Sequence, residues 1–136
     1  MRRVLVIAAA IIIAAMPSLA LGQQVTPAQQ RVDAAQRVVT MLSAQYTQGT
    51  ATFDDLAAWN KRLFEAKRDA GATGAALVLA AQAWVDKMKA LEQLAQQRVH
   101  AGMANATETD KALAHRLEAE MTLAKLKGPV ATTPGY

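Results

Sequence analysis

From Thr52 to Ala101 the apolar residues recur at spacings of three and four, a pattern that confines the chain to an α-helical architecture. Leu56, Trp59, Leu63 and Ala66 share one helix face, and Leu77, Ala81, Trp84, Met88, Leu91 and Ala95 resume the spacing further on. Thr52-Phe53-Asp54-Asp55 reads as a capping box. The Thr52 hydroxyl accepts an orphan backbone N–H, Asp55 reaches back to the Thr52 N–H, and both aspartates suit the positive end of a helix. Gly102 can end the run.

Gly71 and Gly74 interrupt the pattern. Each interior glycine costs about 0.8–1 kcal/mol of helix propensity relative to alanine, and the alanine-rich surroundings offset part of that. The expectation is therefore one continuous helix of roughly 48 residues, about 70 Å long, with the glycines as tolerated small residues. The alternative is a break at Gly71–Gly74 into two tightly joined helices.

Two further helices flank this stretch. Thr26-Pro27 places a cap before a proline whose missing N–H is harmless at the first helical position. A helix from there to about Gln48 aligns Val32, Ala35, Val39, Leu42 and Tyr46, with Val38 widening the face, and Gly49 closes it at a left-handed cap position. The short turn from Gln48 to Ala51 makes it an antiparallel neighbour of the central stretch, with Tyr46 at the rim of the hairpin. After a second break at 101–106, Thr107 and Asp110 frame another capping box. The last helix is expected over Glu108 to Lys127, with Leu113, Leu117, Met121 and Ala124 as its core line and Leu123 and Leu126 broadening the arc. Gly128-Pro129 stops it.

Arg2 and Arg3, the apolar run from Val4 to Ala15, and the segment Met16 to Gly22 follow the plan of a secretory signal peptide. Cleavage is expected after Gly22, with Ala20 as the second choice. The apolar run is short for a span, which needs about 20 residues. The expected organisation is a signal peptide over 1–22, a single all-helical domain over 23–129 and a disordered tail over 130–136. The absence of cysteine removes disulfides and thiolate chemistry, and in an exported protein fits a bacterial periplasm.

Loss of Arg2 and Arg3 with the leader takes the fifteen basic residues to thirteen against eleven acidic, a formal charge of +2. The two signs are mixed along the chain, without the clustered basic face that nucleic acid requires or the dense Lys/Arg stripe of a membrane-surface helix. Ser43 has no glycine-framed elbow, and the carboxylate pairs Asp54–Asp55 and Glu118–Glu120 read as capping and surface charge. No catalytic residue, cofactor or metal ligand is assigned, and the expectation is a non-enzyme. The two histidines, His100 and His115, flank the second break, and a metal would need a third ligand from Glu108 or Asp110. Met41, Met88, Met103 and Met121 are too dispersed for a Cu(I) site, and Met88 and Met121 read as core. Asn105-Ala106-Thr107 matches the glycosylation acceptor pattern, which a bacterial protein leaves unmodified.

Tyr46–Lys67 and His100–Glu120 echo each other: a glycine, a Thr/Asp-rich cap, then an Arg-Leu pair near a Glu-Ala pair. The series Gly49, Asp55, Leu56, Arg62, Leu63, Glu65 and Ala66 resembles the helical-hairpin repeat of TolC-type outer-membrane efflux proteins. Val85 to Glu92 and Arg116 to Glu120 are similar to short exported bacterial helical proteins that carry such a hairpin without a barrel. The chain has nothing to supply membrane strands, so the resemblance implies the hairpin architecture of the periplasmic part and not a channel.

The expected fold is all-α: elongated antiparallel helical hairpins around a long central helix, with a compact four-helix bundle as the alternative. The expected function is a non-enzymatic periplasmic helical interaction or scaffold protein, an accessory of an envelope or efflux system. The alternative is a small metal-responsive or stress-related periplasmic binder using His100, His115 and nearby carboxylates. The expected partners are a second copy of the chain and an envelope protein, with no nucleic acid and no membrane insertion after cleavage. An apolar arc wider than one seam, over Leu77, Val78, Trp84, Val85, Met88, Leu91 and Leu94, motivates the dimer.

Overall fold

A computed structural model describes residues 24–129. The expected leader over 1–22 and tail over 130–136 lie outside the described residues. Within them the protein is all-α, with no strand. Helix α1 spans Pro27–Thr47, α2 Phe53–Asp69, α3 Gly74–His100 and α4 Ala106–Lys127.

The helix starts follow local chemistry. The Thr26 hydroxyl accepts the Gln29 N–H at 3.2 Å, and Thr52 accepts the Asp55 N–H at 3.1 Å. The Asp55 carboxylate does not reach the Thr52 N–H; it accepts the Thr52 hydroxyl at 2.8 Å and fixes the capping oxygen. The last helix starts earlier than expected. Asn105, not Thr107, is its cap, and the Asn105 side chain accepts the Thr107 N–H at 3.2 Å.

The continuous central helix is not formed. Helicity stops at Asp69 and resumes at Gly74. Gly71 has φ +99°, and its N–H donates to the Arg68 carbonyl at 3.1 Å while the Ala72 N–H donates to Lys67 at 3.2 Å. Paired bonds of this kind are a Schellman closure, which needs a residue in the left-handed region and therefore favours glycine. Gly49 and Gly102 close α1 and α3 in the same way. The physical error in the one-helix reading is the reference state. A glycine costs about 1 kcal/mol inside a helix, but at the C′ position it satisfies two carbonyls that would otherwise be orphaned.

Each helix runs antiparallel to the next. Arg31 meets Asp69 across α1 and α2 at 2.8 Å, the Phe64 and Trp84 rings stack across α2 and α3, and Arg98 meets Glu108 across α3 and α4 at 3.7 Å. Helices α2 and α4 also touch, in parallel: Asp54 pairs with Lys111 at 2.6 Å and Lys61 with Glu118. Because α2 contacts three helices it is buried on a wide arc, which adds Phe53, Ala57, Asn60 and Phe64 to the expected Leu56, Leu63 and Ala66. Asn60 is the buried polar residue of this arc, and its amide donates to the Leu56 carbonyl at 2.8 Å.

The main core joins Tyr46, Phe53, Leu56, Phe64, Trp84, Val85, Met88 and Leu91 to the small residues Ala57, Ala81, Ala95, Ala112 and Ala119. A second cluster holds Ala35, Val39 and Leu63, with Val32 and Trp59 against it. Leu77, Val78 and Leu94 pack on the main core, so the wide arc of the central stretch is covered within the chain. The last helix differs from expectation. Its buried residues are Ala112, Ala119 and Leu123, while Leu113, Leu117 and Met121 are 38%, 44% and 60% exposed. Met121 is therefore not core; Met88, at 1% exposed, is.

Candidate functional site

Two features stand out: a polar cluster where three helix ends meet, and the outward face of α4.

The polar cluster forms between the α1–α2 turn and the α3–α4 turn. Tyr46, in the last turn of α1, is not a rim residue but 1% exposed. Its ring packs edge-on to Phe53 at 6.0 Å, and the Arg98 guanidinium lies over it at 4.5 Å. The Arg98 Nη1 donates to the Tyr46 carbonyl at 2.6 Å, and the Tyr46 hydroxyl donates to the Glu108 carboxylate. Burial and the Glu108 carboxylate together raise the Tyr46 pKa well above the ordinary phenol value, against a smaller opposing effect of Arg98. An open cleft of about 340 Å³ lies beside the cluster, lined in part by Thr52, Asp54, Asn105, Thr107 and Lys111.

The polar groups of this cleft are largely committed to one another. Asp54 pairs with Lys111, Asn105 caps α4, and Thr52 caps α2. Glu108 accepts from Tyr46, and its carboxylate is 3.7 Å from Arg98 Nε, an ion-pair distance too long for a hydrogen bond. The arrangement pairs the Tyr46 phenol with the Glu108 carboxylate inside the fold. One guanidinium and one phenol tie the end of α1 to the end of α3 and the start of α4.

The residues considered from sequence are dispersed. The Ser43 hydroxyl donates to the Val39 carbonyl within its own helix. His115 is half-buried, its ring 5.9 Å from Phe53 and its Nδ1 3.9 Å from Glu118. His100 is exposed at the end of α3, beside Gln93, Gln96 and Gln97. Among the described residues no group of three or more His, Asp or Glu side chains converges for a metal. The sequence echo between the two Arg-Leu pairs does not extend to environment: Leu63 is buried and Leu117 is exposed. Arg62 lies over the Trp59 ring at 4.8 Å, whereas Arg116 binds Glu92 and Glu120.

The outward face of α4 is built by what holds its inward face. On one flank Glu108, Lys111 and Glu118 bind Tyr46, Asp54 and Lys61; on the other Arg116 binds Glu92. The Glu118 carboxylate raises the Lys61 pKa by its hydrogen bond, partly opposed by desolvation. These two flanks fix the rotation of the helix so that Ala112 and Ala119 face the core. Leu113, Leu117 and Met121, each four residues apart, then form an unpartnered row on the opposite side, with Ala114 and Ala124 beside it. Asp110 and Lys125 stand at the two ends of this row, and neither has an ion-pair or hydrogen-bond partner among the described residues. No described helix is long and apolar enough to cross a membrane. No protein family, no curated protein and no solved structure matches this chain.

Proposed function

We propose that this protein is a non-enzymatic helical interaction protein of the bacterial envelope, exported through the leader over 1–22 and working by protein–protein contact. The observation that supports the reading is the row Leu113, Leu117 and Met121, set on a helix whose charged flanks are engaged inside the fold. Large aliphatic residues aligned on one exposed helix face mark an interaction surface when scattered exposure would not. The stacked Phe64 and Trp84 rings and the turn at 70–73 favour a four-helix bundle over an extended rod as the scaffold for that face. The hairpin likeness makes an efflux assembly the first envelope system to test for a partner.

A photo-crosslinking residue at Leu117, compared with one at the exposed Gln96 of α3, tests the reading in living cells. The expected result is protein in the periplasmic fraction with specific adducts from position 117. Adducts no stronger at 117 than at 96 overturn the interaction function, and recovery in the cytoplasm overturns the envelope location.

A further inference from the structure

We infer that the occupant of the α4 face is a second copy of this chain, docked antiparallel about a two-fold axis beside Leu117. The inference rests on the interaction reading above and adds the partner, the register and the residues that set it.

The argument is one of charge and geometry. Asp110 lies three residues before Leu113 and Lys125 four residues after Met121, so both fall on the rim of the same face. The other acid in the first two turns of α4 is not free in this way: Glu108 is held by Tyr46 and Arg98. Among the described residues the apolar row thus carries one unpaired negative charge at its start and one unpaired positive charge towards its end. A parallel pairing would set Asp110 against Asp110 and Lys125 against Lys125. An antiparallel pairing centred on Leu117 sets Leu113 on the partner's Met121 and brings Asp110 beside the partner's Lys125. It also opposes the two helix dipoles, which favours the same sense. The face is self-complementary under a two-fold rotation, as an isologous interface requires. A single-helix face is small for a stable complex, so association in about the micromolar range is expected.

The absence of cysteine makes the register directly readable. Protein is expressed from the full-length sequence, purified, and studied as single-cysteine variants under mild oxidation. In the antiparallel pair Leu117→Cys crosslinks to itself. Leu113→Cys or Met121→Cys alone does not, because self-pairing would have to span about 12 Å of axial offset and a disulfide tolerates at most about 7 Å between Cα atoms. A mixture of the last two variants crosslinks. Efficient self-crosslinking of Leu113→Cys alone overturns the antiparallel register. Sedimentation velocity on cysteine-free protein is expected to show a concentration-dependent monomer–dimer equilibrium. Asp110→Lys and Lys125→Asp should each weaken it by about threefold to tenfold, and the double exchange should restore it. A monomer at all concentrations overturns the inference. If adducts with another envelope protein still form at position 117, the interaction function stands without self-association; if none form, both fail together.

Discussion

The Phe64 and Trp84 rings stack at 5.1 Å between centroids with only 17° between their planes. Phe64 belongs to α2 and Trp84 to α3, so this contact exists only because the chain reverses at 70–73. In one continuous helix the two residues, twenty positions apart, would be separated by about 30 Å along the axis. Trp84→Ala should cost about 3–5 kcal/mol, as should Phe64→Ala. The double variant should cost less than the sum by about 0.5–1.5 kcal/mol, the coupling of an aromatic pair. Urea unfolding of the four proteins measures it, and strict additivity would show that the rings do not touch.

The sign of the Gly71→Ala effect separates a turn from a helix. No atom lies within 4 Å of an added Cβ at Gly71, so the consequence is conformational and not steric crowding. At φ +99° an alanine is strained by about 1–2 kcal/mol. Inside a helix the same change would stabilise by about 1 kcal/mol. Thermal unfolding should show a lower Tm for Gly71→Ala.

Tyr46 sets an alkaline limit. Its pKa is raised in the fold, so the neutral phenol is what the native state favours. The resulting stability is complete below the ordinary phenol pKa of 10.0 and is lost as pH climbs above it. Tyr46→Phe should cost about 1.5–3 kcal/mol at neutral pH, by removing a hydrogen bond to a charged acceptor, and should flatten the fall in stability above pH 10. Tyrosinate absorbance should show Tyr46 ionising well above the ordinary phenol range for as long as the fold holds.

Asp69 sets an acid counterpart. Hydrogen bonds from Arg31 and Arg68 hold its pKa below the usual 3.8. Its contribution is present above that value and is lost as pH falls through the lowered native pKa. Asp69→Asn should therefore lessen the acid dependence of stability while leaving the neutral-pH fold intact, as followed by circular dichroism across the acid range.

The two faces of α4 should answer substitution in opposite ways. Ala119, fully buried, should not tolerate leucine, and Ala119→Leu is expected to cost about 1–3 kcal/mol through overpacking. Leu117→Ala, on the 44% exposed side, should cost under about 1 kcal/mol in the monomer. Equilibrium unfolding at dilute protein concentration compares them; a larger cost for Leu117→Ala would turn the helix around.

What the sequence determined by itself is local. Thr26 and Pro27 start α1, Thr52 and Asp55 start α2, and Gly49 and Gly102 end their helices, because caps and left-handed turns depend on residues within one turn of each other. The α1 stripe and the Trp84–Met88–Leu91 seam were legible for a related reason: period alone places those residues on one face. Gly71 carried the same local signal as Gly49 and Gly102, with a polar cap residue close behind each, and closes its helix in the same way.

Tertiary structure decided what periodicity leaves open. Helix α4 has two apolar arcs, one of large residues through Leu113, Leu117 and Met121 and one mainly of alanine through Ala112, Ala119 and Leu123. Hydrophobicity summed along the sequence favours the first. The fold chose the second, because alanine lets neighbouring helices approach closely and because Glu108, Lys111, Glu118 and Arg116 find partners on α1, α2 and α3 only in that rotation. The Tyr46–Arg98–Glu108 cluster was hidden for a like reason: its members lie on three helices, and no spacing rule within one helix can bring them together.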